Sequence, residues 1–358
     1  MKNRHSMAHG RAARRVAMLF SFSTAAFAQS ACGGADVVSE PIVTEASVTE
    51  EESALESVDP PSVARLPDGQ RWLTHLSSEI MPYFTVPGAL GQPIGNFPTF
   101  RCNDGTPYDA AANACPELRD SADWIRTEIG REYTRMKSRQ TFLYGIAYHM
   151  TGDAKFFSYH QAGVKWLLEH AILDKGKAGA VTYFVGDTPD ADPKARTSQD
   201  LSYAIIGLAM NYYLTRDPAI LEVVENLHKY IYDNYFDPSL GMIRWSLVDQ
   251  EKELVSQLDQ LNAYLMLLTP LLPGHLQKSW RHDIERTTQT MLANFYSKEH
   301  RFFWGAVTRP DQMVVGSFHT DFGHTIKAYW MTHLAGRLLG RGDWEQFGAR
   351  DADATFDH

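Results

Sequence analysis

Apolar residues recur at three- and four-residue spacing through most of the chain between positions 70 and 339, which is the periodicity of amphipathic helices. Gly, Pro and Asp residues interrupt this pattern and mark helix ends. The pattern predicts helices over residues 70–83, 121–150 (one helix or two), 154–173, 198–214, 218–235, 253–272, 276–296 and 324–339. Short aromatic and β-branched runs at 181–185, 242–248 and 302–308 predict small hairpin strands or extended loops.

A weak internal repeat indicates how these helices are arranged. Tyr148-His-Met-Thr-Gly-Asp153 and Tyr212-Tyr-Leu-Thr-Arg-Asp217 each end one helix and begin the next. Repeated helix–loop–helix units separated by short strands are typical of an α/α toroid, in which hairpins stack around a central cavity. We therefore predict an all-α toroid with short β-hairpin loops, with either a complete or an incomplete ring. The alternative is an irregular helical domain.

The N-terminal region is typical of an exported protein. Basic residues precede a short apolar run that ends at Ala26-Phe27-Ala28, a small-x-small cleavage pattern. Ser30-Ala31-Cys32-Gly33 resembles a bacterial lipobox, so Cys32 is a candidate lipidation site and the membrane a partner through this anchor only. Simple secretion is the alternative. We assign 1–31 as a signal peptide, 32–62 as an acidic disordered tether, 63–345 as the toroid and 346–358 as a tail.

Composition and cysteine usage agree with export to the periplasm or cell surface. Two of the three cysteines, Cys102 and Cys115, flank a loop that contains the Asp104-Gly105 turn, and an oxidising compartment would permit a disulfide between them. The net charge of −9, with no clustered Lys/Arg face, argues against nucleic-acid binding. Nucleotide-binding, zinc-peptidase and serine-hydrolase motifs are not found, and we expect no cofactor.

The segment from Gly316 to Met331 carries the densest candidate chemistry. His319, Asp321 and His324 lie just before or inside the first turn of a predicted helix, and Lys327 follows one turn later. The three acidic and imidazole groups match no known metal-ligand spacing, and Asp321 is also a natural helix N-cap, so we predict no metal.

Asp321-Phe-Gly-His-Thr-Ile-Lys327 resembles the Gly-His-x-Ile-Glu segment of the N-acylglucosamine 2-epimerase and cellobiose epimerase superfamily. Three further segments resemble that family in the same order: 137–153, 199–204 and 261–268. The resemblance implies an (α/α)6-type barrel that binds sugars, with His324 as an acid/base and Arg139 in the sugar pocket. Met266 stands where the family has a His, and Thr269 stands where it has a Glu. A second Glu of the family is replaced by Lys327. The last helices of the family, which carry another catalytic His, have no counterpart here.

Several residues are candidates for the site of this predicted enzyme. We predict His324 as the principal acid/base; the candidate catalytic residues are His324, Tyr264, Asp200 and Asp259, and the candidate substrate-binding residues are Arg139, Asn262, His319, Asp321, Lys327 and Trp330. Each has a structural alternative: an ordinary core Tyr, a capping or paired carboxylate, a structural ion pair, or a solvated surface Lys. If Lys327 lies close to His324, its charge would lower the imidazole pKa and favour an anionic sugar such as a uronate, with Arg139 as a second clamp.

These observations leave three classes of function open. The first is an exported carbohydrate-active enzyme of epimerase or isomerase ancestry that acts on a sugar or uronate. The second is a non-catalytic glycan-binding or envelope interaction lipoprotein. The third is a glycoside hydrolase or lyase that uses Asp200 or Asp259.

The lipobox-like segment gives a first testable prediction. We expect the full-length protein to partition into the detergent phase, because acyl chains on Cys32 would anchor it there. Cys32→Ala removes the residue that is acylated, so it should shift the protein to the aqueous phase. Triton X-114 partitioning of cell extracts measures this. Recovery of both proteins in the aqueous phase would contradict the anchor.

Overall fold

The computed structural model describes residues 68–192, 195–248, 252–307 and 322–355, so the predicted signal peptide, Cys32 and the predicted tether lie outside the described residues. The predicted all-α toroid class is confirmed. The helices are α1 (Gly69–His75), α2 (Met81–Thr85), α3 (Pro116–Arg119), α4 (Asp123–Arg126), α5 (Thr134–Thr151), α6 (Ala154–Trp166), α7 (Ser198–Thr215), α8 (Pro218–Tyr235), α9 (Leu254–Gln260), α10 (Met266–Leu268), α11 (Gly274–Asn294), α12 (Phe322–Leu339) and α13 (Gly342–Thr355).

Four of the predicted helices differ from the observed ones: 70–83 and 154–173 contain the π-helical segments Leu76–Ile80 and Leu167–Ala171, and two others differ as follows. The region 121–150 contains a short α4, a strand and then α5, rather than one or two long helices. The chain turns at Gly130, whose φ of 98° is easily adopted only by glycine. The segment 253–272 begins as α9, passes through a π-helical turn at Leu261–Leu265 and continues as α10.

Nine short strands connect the helices within the described part of the chain. They are β1 (Arg131–Tyr133), β2 (Tyr183–Val185), β3 (Thr188–Pro189), β4 (Phe236–Asp237), β5 (Met242–Ile243), β6 (Lys252–Glu253), β7 (Tyr296–Ser297), β8 (Phe302–Phe303) and β9 (Ala306–Val307). Their pairings are antiparallel: β1–β2–β3, β4–β5, β6–β9 and β7–β8. β1 and β6 lead directly into α5 and α9, so the strands fix the entry of the chain into these helices.

Four helix hairpins follow one another along the chain: α5/α6, α7/α8, α9–α10/α11 and α12/α13. The first helices of successive hairpins, α5, α7, α9 and α12, pack side by side as an inner layer. The second helices lie outside them. Almost every side chain of α7 from Ser198 to Tyr212 is buried, as expected for a helix enclosed by neighbours on all sides.

The sequence repeat corresponds to two equivalent corners between helices. α5 ends at Gly152 and α7 at Arg216, each in the left-handed conformation, with φ of 71° and 58°. The next residue, Asp153 or Asp217, caps the following helix by accepting a hydrogen bond from a backbone N–H two residues later, at 2.9 Å in both cases. The same chemistry therefore reverses the chain in both hairpins.

The C-terminal boundary of the folded region lies beyond the predicted one. We expected the domain to end at residue 345, with a tail from 346, but α13 continues to Thr355. Trp344 is buried in the main core, Phe347 packs against that core, and buried Asp351 forms an ion pair with Arg301 at 2.6 Å. The polar composition of the segment predicts a tail, because only a few of its side chains contact the core.

The structure contains the predicted disulfide between Cys102 and Cys115, with a Cα–Cα distance of 6.0 Å. The loop between them turns at Gly105, whose N–H donates to the Cys102 carbonyl at 2.9 Å. The Asp104 side chain accepts hydrogen bonds from both the backbone and the hydroxyl of Thr106. Among the described residues no helix is long and apolar enough to cross a bilayer.

We expect loss of this disulfide to destabilise the domain. Cys102→Ser with Cys115→Ser should lower the free energy of unfolding by about 3 kcal/mol, the chain-entropy value for a loop of about 15 residues. Denaturant titration under non-reducing conditions measures the change, with Cys32→Ser as the matched control. An unchanged midpoint in the double variant, or two free thiols in protein from an oxidising compartment, would refute the prediction.

Candidate active site

Polar side chains from three helices of the inner layer, α7, α9 and α12, meet between these helices. This central cluster consists of Gln199 and Tyr203 on α7, Asp259 on α9, and His324 and Lys327 on α12. Spacings of three and four residues place each helical pair on one helix face. The cluster brings together three of the predicted site residues: Asp259, His324 and Lys327.

Asp259 is the central acceptor of this cluster and is fully buried. Its Oδ2 accepts from Gln199 Nε2 at 2.8 Å, and its Oδ1 accepts from the Tyr203 hydroxyl at 2.8 Å and from the Lys327 ammonium. Burial favours a higher pKa for Asp259, but the charges of Lys327 and His324 and the hydrogen bonds outweigh it, so the pKa is lowered. Asp259 is therefore a carboxylate held in its ionised form.

Lys327 is a buried member of the central cluster and not a solvated surface residue. Its Nζ donates to Asp259 and lies 3.1 Å from the Tyr203 hydroxyl. Burial favours a lower pKa, but Asp259 and Tyr203 raise it above the ordinary lysine value. The surface-Lys alternative is wrong, and the expected clamp on a uronate finds no support, because the charge of Lys327 is already paired with Asp259.

His324 lies in the first turn of α12 and is 2% exposed. The imidazole is among the electrostatic causes that lower the pKa of Asp259, which places it near the carboxylate. An imidazole beside an ion pair is suited to proton transfer, because the neighbouring charges can stabilise the charge that develops.

Arg139 and Asp200 border the central cluster. The Arg139 guanidinium lies over the Tyr203 ring, 3.7 Å from its centroid, so it approaches the cluster from α5. Asp200 forms an ion pair with Arg135 at 3.2 Å and accepts from the Thr197 hydroxyl at 2.7 Å, while its own N–H donates back to Thr197. Thr197 is thus the N-cap of α7, and Asp200 stabilises this cap through the Thr197 hydroxyl.

Tyr264, Asn262 and Trp330 occupy different surroundings. Tyr264 is fully buried against the outer helices, and its hydroxyl donates to Gln260 at 2.9 Å and contacts His228 Nδ1 at 3.0 Å. Burial raises the pKa of Tyr264 well above the ordinary tyrosine value. The hydroxyl stabilises the core away from the central cluster, which favours the structural alternative for Tyr264. Trp330 is half-buried against the apolar core, and half-buried Asn262 follows Asp259 by one helical turn.

His319 and Asp321 lie outside the described residues, so their predicted roles stay predictions. Sequence reasoning missed Gln199 and Tyr203 as site residues, although it noted the segment that contains them. The available signal was their i, i+4 spacing within an otherwise apolar helix, where a polar pair needs a buried partner. The sequence analysis predicted the neighbouring residue Asp200 instead, because it considered carboxylates as the catalytic groups.

The arrangement of helix hairpins is similar to that of solved sugar isomerases and epimerases. The D-mannose isomerase structure superposes with a TM-score of 0.62 at 14% identity, covering 82% of this chain and 71% of that one. Cellobiose 2-epimerase from Bacillus thermoamylovorans B4167 gives 0.53 at 15%, covering 63% and 61%. The enzyme from Spirochaeta thermophila DSM 6192 gives 0.52 at 13%, covering 81% and 66%.

The chain shares the fold of these proteins. The resemblance predicted from the sequence is confirmed at the level of the fold. No family model and no curated protein sequence matches the chain. The chain spans less than two thirds of the length of both epimerases, and identities of this size concern the fold alone.

The Asp259–Lys327 pair gives a prediction about stability and pH. Lys327→Met should destabilise the fold by about 3–5 kcal/mol at pH 7, because it leaves a buried carboxylate without its countercharge. In the wild type, the lowered pKa of Asp259 contributes stability that is present above about pH 4 and is lost as pH falls. In the variant, burial should raise that pKa, so stability should decrease as pH rises from about 4 towards 7.

Chemical denaturation at several pH values measures this reversal. Lys229→Met is the matched control, since Lys229 pairs with Asp233 on the exposed surface of α8 and should have little effect. Equal, pH-independent effects of the two variants would contradict the buried pair.

Proposed function

We propose that the protein is an enzyme that interconverts an aldose and a ketose by proton transfer, with His324 as the acid/base. The supporting observation is the convergence of His324, Lys327 and Asp259 at the centre of a fold shared with sugar isomerases and epimerases. The shared fold supports sugar-processing ancestry, and the carbohydrate ligand itself is part of this proposal.

The proposed reaction uses one base for two transfers. His324 removes the proton from the carbon next to the carbonyl, and the electron pair forms an enediolate whose oxygen carries the negative charge. The positive charge of Lys327, fixed by Asp259, stabilises that oxygen. Protonated His324 then returns the proton to the adjacent carbon, and a proton passes between the two sugar oxygens, so atoms and charge balance.

The composition of the central cluster favours isomerisation over epimerisation. Epimerisation requires a base on one face of the reacting carbon and an acid on the other, whereas isomerisation can return the proton to the neighbouring carbon from the same face. Among the described residues of the cluster, His324 is the one imidazole, and Met266 and Thr269 stand where the resembled family has a His and a Glu.

The hydrolase alternative requires a carboxylic acid that donates a proton near neutral pH. The lowered pKa of Asp259 does not suit that role, whereas Asp200, paired with Arg135 at 3.2 Å, stays the carboxylate candidate for this alternative. A non-catalytic glycan-binding protein is the second candidate, because Asp259 and His324 are almost fully buried, as in a centre filled by side chains. Export, with Cys32 as a lipid anchor, is a separate proposal that rests on the N-terminal sequence.

Solvent exchange tests the proposed chemistry. A panel of aldoses and ketoses incubated with the protein in D2O should include one that incorporates deuterium next to the carbonyl, followed by proton NMR. His324→Gln should slow this exchange by about 10²–10⁴-fold, the usual contribution of a positioned acid/base.

The control is His333→Gln on the same helix, where Nδ1 contacts the Glu345 carbonyl at 2.9 Å away from the central cluster. This variant should keep the wild-type exchange rate. Binding of a sugar without any exchange would favour the non-catalytic alternative, and exchange that survives His324→Gln would exclude His324 as the base.

A further inference from the structure

A cavity of about 660 Å³ lies outside the inner layer of helices. It is enclosed by the segment that precedes the disulfide loop, the start of α5, the end of the second helix of the first hairpin and the β2–β3 turn. Its volume falls in the range of about 300–1,000 Å³ that is usual for small-molecule sites. None of the candidate residues of the central cluster lines it.

Helix α5 separates this outer cavity from the central cluster. Lys137, which lines the cavity, and Arg139, which lies over Tyr203 in the centre, are two positions apart on α5. Two positions along an α-helix correspond to a rotation of about 200°, so the two side chains leave opposite faces. The cavity is therefore a distinct site and not an extension of the proposed active centre.

Rings form much of the wall of the outer cavity. Trp166 and Phe184, 8% and 6% exposed, pack edge to face with centroids 5.3 Å apart, and Pro87, Pro93, Pro98 and Pro107 also line the cavity. Such rigid apolar surfaces suit the C–H face of a sugar ring, since burial there costs little conformational entropy.

Lys137 lies beneath this wall and cannot recruit an anion. Its buried Nζ donates to Asn96 Oδ1 at 2.7 Å, to the Phe97 carbonyl at 2.8 Å and to Glu132 Oε2 at 3.1 Å. These contacts use all three of its N–H donors. Burial lowers the pKa of Lys137, partly offset by Glu132, so the residue holds the wall together and offers no donor to a ligand.

The groups left for a ligand are mainly acceptors. Both described hydrogen bonds of Glu132, from Thr99 N–H and Lys137, end on Oε2, and the side chain is 32% exposed. Exposed Asp187 adds a second carboxylate to the lining, which also includes exposed His170. Hydroxyl donors should bind here, whereas two carboxylates should repel an acidic ligand.

We propose that the outer cavity binds a neutral pyranose sugar independently of the central cluster. The ring walls would contact the apolar face of the sugar, and the Glu132 and Asp187 carboxylates would accept from its hydroxyls. The inference goes beyond the proposed isomerase activity and does not depend on it. The cavity would hold one sugar unit of a longer glycan, and the remaining units of that glycan would lie outside the cavity.

Ligand-observed NMR and calorimetry with methyl α-D-glucopyranoside test this proposal. The glycoside has no free carbonyl, so it binds without being a substrate of the proposed reaction. The wild type should show saturation transfer, and His170→Ala with Asp187→Ala should weaken the affinity at least fivefold. Glu169→Ala is the matched control, because Glu169 is an exposed neighbour of His170 that does not line the cavity. It should bind like the wild type.

Two further comparisons make the result decisive. His324→Gln should leave glycoside binding unchanged, and the methyl glycoside of glucuronic acid should bind more weakly than the glucoside. Absence of saturation transfer at tens of millimolar glycoside would overturn the proposal. So would a loss of affinity in His324→Gln with none in the cavity variant, or tighter binding of the acidic sugar.

Discussion

The buried ion pair between Asp259 and Lys327 is the interaction on which the centre of this protein depends. It joins α9 to α12, and the hydrogen bonds of Gln199 and Tyr203 to the same carboxylate add α7. Three of the four inner helices are therefore fixed relative to one another by a single carboxylate. A buried pair of this kind costs desolvation free energy, and such groups are retained where they specify one arrangement or serve a function. Here the arrangement places His324 beside two fixed charges.

The same pair changes the meaning of a sequence difference. The family resembled by the segment 321–327 has a Glu where this chain has Lys327, and the substitution alone indicated a site selective for anions. In the structure the Lys charge is balanced by Asp259 from the neighbouring helix. The centre is therefore close to neutral overall and retains an oriented positive charge, which suits an enediolate oxygen better than a permanently charged substrate.

Much of the architecture could be predicted from the sequence because it depends on local signals. The corners at Gly152–Asp153 and Arg216–Asp217 show their capping Asp directly, and the first also shows its left-handed Gly, whereas nothing in the sequence signals the left-handed Arg216. The Cys102–Cys115 pairing required only the cysteine positions and a turn. The content of the site depended on contacts between distant segments. The Gln199–Asp259 and Tyr203–Lys327 contacts cross from helix to helix, and no periodicity specifies which polar groups will meet. Tyr264 shows the converse: its position beside Asn262 indicated a site residue, yet helix geometry directs its ring outward to His228.

A double-mutant cycle tests most directly whether Asp259 and Lys327 form a buried pair. The free energies of unfolding of Asp259→Asn, Lys327→Met and the double variant would be compared with that of the wild type. A buried pair predicts that the double variant is more stable than Lys327→Met alone, with a coupling free energy of about 2–3 kcal/mol, at the upper end for residues in contact. Additive effects within about 0.5 kcal/mol would mean that the two side chains do not interact, which would contradict a centre organised by this ion pair.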